Sequence, residues 1–287
     1  MLRKDYHRDM VKSNILRKVL LRLDYKGIVK IEDFIEKNSD WFRGYFGKVD
    51  NSIHNDINID ISDLNYQTLS QMLSLPIKEV IRQEIYSFTE NTFYDENLES
   101  NTKDIVTLKI GKYFTTLEIE CNEYNSINPY FLFFKEYIDR LINDNKFISI
   151  KRLGLRKISS NIFTSKEALF DCFDKKYYYF SMNDDFNTDN FNRLDVLYAD
   201  HSSPIVNFRR RINQGKVTNE QTQQSTNGYL AFLDLDGYLD EQKIIEKLQS
   251  NQTLISMLEG INEMLFTVFI NTVTDSFLEK HTVYNGN

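Results

Sequence analysis

The stretch "KFISIKRLGLRKISSNIF" (146–163) decides how this chain of 287 residues is read. It is rich in β-compatible residues, and as a strand it has two distinct sides. Arg152, Gly154 and Arg156 fall on one, and Lys151, Leu153, Leu155 and Lys157 on the other. It follows the segment "NPYFLFFKEYIDRLIND" (128–144), where Phe131, Phe134, Tyr137, Ile138 and Leu141 form a helical stripe. Asn128 is expected to cap that helix, and Pro129 suits its first turn. A new strand beginning here makes it the opening of a second unit.

Working back toward the N-terminus, "SNILRKVLLRLDY" (13–25) is the corresponding opening strand. After it, "IEDFIEKNSDWFRGYF" (31–46) has near-helical apolar spacing. "NDINIDISD" (55–63) and "PIKEVIRQEIYSFT" (76–89) alternate as half-buried strands, and "DIVTLKIGKYFTTLEIE" (104–120) reads as one long strand or a strand broken at Gly111.

Working forward, "SKEALFDCF" (165–173) is a short helix with serine at its N-cap. "RLDVLYADHS" (193–202), "PIVNFRRRIN" (204–213) and "GYLAFLDLDGYL" (228–239) are strands. The last 40 or so residues read as helical, with Leu254, Met257, Leu258, Ile261, Met264, Leu265, Val268 and Phe277 on a near-heptad stripe. Two polar stretches, 181–190 and 213–228, are expected to be loops.

Both halves thus carry the order strand, helix, three strands, helix. The expected fold is α+β, with duplicated βαβββα units over 1–145 and 146–287. The units would form a continuous antiparallel sheet with helices on one face. That plan resembles the helix-grip and TATA-binding-like architectures, an analogy of fold that carries no function.

Composition narrows the function classes. The chain is 41% hydrophobic and 27% charged, with a formal charge of −7, so nucleic-acid binding would require a local basic patch. Cys121 and Cys172 fit no metal spacing, and no apolar run is long enough for a membrane span. No signal peptide is recognisable, and a cytoplasmic location without membrane association is expected. The four histidines are scattered, and neither a Walker A pattern nor a dinucleotide glycine motif is present. "DHSS" (200–203) reads as a turn and not as a nucleophilic triad. No cofactor is expected, and the balance leans against an enzyme.

Two basic runs stand out: "KRLGLRK" (151–157) and "FRRR" (208–211). Lys151, Arg152, Arg156, Arg209 and Arg211 make a candidate binding surface, whereas Arg210 shares a side with Val206, Phe208 and Ile212 and reads as structural. The competing reading pairs these cations internally. Arg152 and Arg156 would meet carboxylates such as Glu118 and Glu120, and Arg209 and Arg211 would meet Asp234 and Asp236. Asp234 and Asp236, two residues apart on one strand, are also weak candidates for a divalent metal.

At "RLGLRKI" (152–158), "FLDLDGYLD" (232–240), "MLFTVFINTVTDSFLEK" (264–280) and "TLEIECNEYNSINPYFLFFKEYIDRL" (116–141) the chain resembles a sporadically distributed prokaryotic family of uncharacterised proteins. Its members carry a "GLRYIN"-like central strand, here Gly154, Leu155 and Arg156, and an "LDIDVY"-like late strand, here Asp234 and Asp236. Their last helix has a phenylalanine and T-D/E pattern, here Phe269, Thr274 and Asp275. The resemblance implies no catalytic chemistry and points to mobile or defence-associated genes.

The expected function is therefore that of a non-catalytic binding or scaffold protein, acting on another protein, as a component of a prokaryotic anti-phage defence system. A nucleic-acid-binding saddle and a metal-dependent nuclease are the alternatives. A homodimer is also expected, because Phe266, Phe269, Ile270 and Val273 are more apolar than a single stripe requires.

Overall fold

The protein is described from a computed structural model, covering residues 6, 11, 15–59, 77–95, 100–174, 193–218 and 225–281; the side chains of 54, 55–59, 77–82, 94–95, 100–102, 193–194 and 217 are outside that description. It is an α+β protein with one open nine-stranded antiparallel sheet and, among the described residues, seven helices packed against it. The first half contributes β1 (Leu16–Lys26), α1 (Ile31–Lys37), α2 (Ser39–Tyr45), β2 (Lys48–Ile59), β3 (Ile77–Glu90), the small hairpin β4 (Phe93–Asp95) and β5 (Ser100–Thr102), β6 (Ile105–Gly111), β7 (Phe114–Glu120) and α3 (Asn128–Asp144). The second contributes β8 (Ser149–Phe163), α4 (Lys166–Cys172), β9 (Arg193–Asp200), β10 (Ile205–Thr218), β11 (Ser225–Asp240), α5 (Glu241–Gln249), α6 (Leu254–Thr272) and α7 (Asp275–His281). The order across the sheet is β2-β3-β6-β7-β1-β8-β11-β10-β9. The two opening strands, β1 and β8, therefore lie side by side at the centre, and each also pairs with the last strand of its own half.

Alternation sorts the side chains. Val19, Leu21, Leu23 and Tyr25 of β1 are buried with Leu153 and Leu155 of β8, Leu117 and Ile119 of β7, and Leu233, Leu235 and Leu239 of β11. The helices cover this side. Phe42 of α2 stacks on Phe88 of β3 at 4.4 Å between centroids, and Tyr137 of α3 hydrogen-bonds Thr115 of β7 at 2.6 Å. Over the second half α6 comes close: a Cβ at Gly237 would stand 2.7 Å from Ile261 Cγ2 and 3.1 Å from Leu265 Cδ2. Glycine is what lets this helix settle on β11.

Several expectations are corrected. The segment 104–120 is two strands in a hairpin, so the first half has four long strands after its helices and not the three of a βαβββα unit. The Tyr25 hydroxyl helps hold that turn: it donates toward the carbonyls of Gly111 at 2.8 Å and Phe114 at 3.0 Å, and it shares a hydrogen bond with Thr115 Oγ1 at 3.0 Å. The helical segment 31–46 is two helices meeting at Asn38, whose Nδ2 bonds Phe34 O and Asp144 Oδ2, both at 2.9 Å. Asn128 does not cap α3; it is the first helical residue, and Ile127 occupies the cap position without a side-chain bond. Within 213–228 the described residues, 213–218 and 225–228, are strand, paired from Asn213↔Leu230 to Thr218↔Ser225. A two-stranded ribbon satisfies its backbone whatever the polarity of its side chains, so polarity alone misreads it as loop. The second expected loop, 181–190, lies outside the described residues. Ser165 caps α4 as expected, accepting from Ala168 N at 3.1 Å.

Candidate functional site

The side of the sheet opposite the helices carries a ladder of charge. On β8, Leu153 and Leu155 point to the core, so Arg152, Gly154 and Arg156 face outward. On β10, Phe208, Arg210 and Ile212 are buried, so Arg209 and Arg211 face outward beside them. β11 lies between these two strands and presents Asp234 and Asp236 to the same surface.

Arg156 grips Asp234 with both arms of its guanidinium, Nε to Oδ1 at 2.8 Å and Nη2 to Oδ2 at 2.6 Å. Those hydrogen bonds push its pKa still higher, so the guanidinium stays charged. Arg152 lies flat over the Tyr238 ring, 3.9 Å from the centroid, and reaches Asp236 Oδ2 at 3.0 Å. The space beside Gly154, open when read from the sequence, is occupied: a Cβ there would meet Tyr238 Cβ at 3.1 Å and Gly237 O at 3.2 Å.

Arg209 makes a second two-armed contact, with Asp195 of β9, at 2.8 and 2.7 Å. Arg211 shares the same carboxylate at 3.1 Å. Further along, Glu118 of β7 bridges Lys109 of β6 at 2.7 Å and Lys18 of β1 at 3.1 Å. Partial burial works to raise the Glu118 pKa, but the two lysine hydrogen bonds and charges outweigh it and hold the carboxyl below its usual value.

The internal-pairing reading was right in kind and wrong in partners. Asp234 and Asp236 bond Arg156 and Arg152, not Arg209 and Arg211, and Glu118 serves two lysines. Asp195, which sequence reasoning did not single out, pairs with both outward arginines of β10. The only sequence signal for it was an aspartate on a strand next to a basic one. Lys151 does not join the ladder; its ammonium pairs with Glu241 at the start of α5. Arg210 is buried as expected, 2% exposed, with Nη2 at 3.2 Å from the Tyr198 hydroxyl.

The arrangement is a set of fixed charges of both signs on one face of the sheet. Asp234 and Asp236 are both engaged by arginine, and no group of three or more metal-ligating side chains occurs among the described residues. Burial pushes the Cys172 thiol up to about 12 and Cys121 higher still, which keeps both protonated at neutral pH. Asp200 of "DHSS" accepts from its own turn, Ser202 N at 2.9 Å. No family model, curated protein or solved structure matches the chain.

Proposed function

We propose that this chain is a non-catalytic binding protein that docks another protein on the outward, charge-laddered face of its sheet. One observation carries the reading: Arg152, Arg156, Arg209 and Arg211 are each already paired with an aspartate in the same surface, three carboxylates for four guanidinium groups. A polyanion gains its affinity from cations that its phosphates can neutralise. A two-signed pattern of fixed pairs instead suits a partner with complementary charges of both signs. The side chains are open enough to be met, with 45% of Arg156 and 43% of Arg209 exposed.

The central β1–β8 pairing supports a finer reading of the fold as two related strand–helix–meander–helix units, helix-grip or TATA-binding-like, with one extra strand in the first. The likeness at "RLGLRKI" to a sporadic prokaryotic family supports a place in an anti-phage defence system. A cytoplasmic setting accords with α6, the one described helix apolar enough to cross a membrane, having Ile261 and Leu265 packed on the sheet. The homodimer is less supported than composition suggested: Ile270 and Val273 are buried within the protomer.

The test removes the two-armed arginines together, Arg156→Gln/Arg209→Gln. The variant should stay folded, since exposed pairs contribute only about 0–1 kcal/mol each. In-cell crosslinking should recover a protein with the wild type and lose it with the variant. Equal recovery from both would remove this face as the docking site. Oligonucleotide binding that weakens steeply with salt would favour the saddle instead.

A further inference from the structure

On the other side of the sheet, where the two halves meet, lies a half-open cavity of about 220 Å³. Its walls include Tyr124 from the loop before α3, Ser159 of β8, Leu235 of β11, and Asn262, Phe266 and Phe269 of α6. We propose that this cavity binds a planar nitrogen heterocycle of the nucleobase type, with the Asn262 carboxamide reading its edge.

Asn262 is the reason to look here. It is fully buried, and neither its Nδ2 nor its Oδ1 has a hydrogen-bond partner. Buried polar groups are nearly always satisfied, so an orphaned carboxamide calls for an explanation. Folding does not supply one. Asparagine is a poor residue for a helix interior, and its neighbours Leu258, Ile261 and Leu265 are apolar and fully buried. Leucine would serve the packing better.

The chemistry of the missing partner follows from the amide. It offers donors and an acceptor side by side, and both sides are orphaned. A carboxylate can only accept, and would leave Oδ1 bare. A ligand edge with a donor next to an acceptor satisfies both, as an adenine edge does when asparagine reads it. Around this point the walls are aromatic. Phe266 and Phe269 lie 6.4 Å apart on α6, and Tyr124 stacks parallel on Tyr130 at 6.1 Å. Flat aromatic walls suit a planar ring. The lining is not purely apolar: besides Asn262 it carries Lys157, Ser159, Asn125, Ser126 and Asn128. The space falls below the usual range for larger ligands, about 300–1,000 Å³, which limits the occupant to a base or nucleoside and excludes a nucleotide chain.

The walls of the cavity are anchored. The loop carrying Tyr124 is tied down by Asp104, whose carboxylate accepts from Asn122 N, Glu123 N and the Tyr130 hydroxyl, each at 2.7 Å. The facing helix is fixed by a capping box at Thr253 and Ser256.

Calorimetric titration and thermal shift with adenosine, guanosine, cytidine and uridine test the proposal. Indole, planar and apolar, and benzoate, planar and acceptor-only, serve as controls. At least one nucleoside should bind saturably, more tightly than either control. Asn262→Leu should weaken it by at least about tenfold while melting at or above the wild-type temperature. Asn262→Asp, which exchanges the amide donors for an acceptor, should change the ranking of the four nucleosides. No nucleoside binding at millimolar concentration would mean that water alone satisfies Asn262, and would overturn the proposal. Indole or benzoate binding as tightly as the best nucleoside would overturn it too, on the wild type alone and whatever the variants do. Unchanged nucleoside affinity in folded Asn262→Leu would do the same.

Discussion

Two fully buried polar residues, Asp104 in the first half of the chain and Asn262 in the second, are held on opposite terms. In the first half Asp104 is fully buried and spends its carboxylate on two backbone N–H groups and the Tyr130 hydroxyl. Nearby, the Tyr25, Thr115 and Tyr137 hydroxyls form a closed chain. Burial drives the Tyr137 pKa well up, so that chain stays neutral. In the second half Asn262 is just as buried and has nothing. The two residues stand on either side of one cavity: Asp104 supports its loop wall, and Asn262 is its helix wall. A satisfied buried polar group holds a structure together; an unsatisfied one costs stability unless something arrives to meet it.

The comparison can be broken most sharply at Asp104. Asp104→Ala removes a shared acceptor from three donors, of which Asn122 N keeps Glu120 O at 3.1 Å, and unfolding in urea should show a loss of about 3 kcal/mol. A loss below about 1 kcal/mol would mean that the loop is re-solvated freely, and the contrast with Asn262 would collapse. A smaller effect is expected at Tyr137→Phe, which removes one hydroxyl from the closed chain while keeping the ring. The same measurement should show about 1 kcal/mol, and no change would mark that chain as incidental.

The smallest effect concerns the outward face and sharpens its difference from both buried residues. The folded Glu118 pKa lies below its ordinary value of 4.5, so its contribution is present above that value and lost as pH falls through the folded one. Wild type should exceed Glu118→Gln by no more than about 1 kcal/mol at neutral pH, because the lysine partners are partly exposed. The gap should close in acid. A gap that persisted well below pH 4.5 would show that shape, and not charge, is what Glu118 contributes.

Much of the local structure was legible. The bounds of α3, the Ser165 cap, and the division of β8 and β10 into inward and outward residues all follow from short-range patterns. Arg210 could be told from Arg209 and Arg211 by alternation alone. The Gly111 hairpin was the hard case, because Lys112 and Tyr113 make a turn between two strands whose apolar alternation runs on through it. The apolar stripe read along the last helices passed over Asn262, since periodicity registers apolar residues and is silent about a polar one set among them.

The sequence by itself determined which side chains point up and which point down, because a two-residue period is a property of the strand backbone and needs no partner. Only the tertiary structure decided which aspartate answers which arginine. β11 has a basic strand on each side, and nothing along the chain says that Asp234 will turn to Arg156 while Asp195, on a different strand, takes both Arg209 and Arg211. Nor could the chain announce its cavity. That space exists because α6, the 121–127 loop and the central strands meet there without filling it. Whether a buried amide finds a partner depends on distances between elements far apart in sequence.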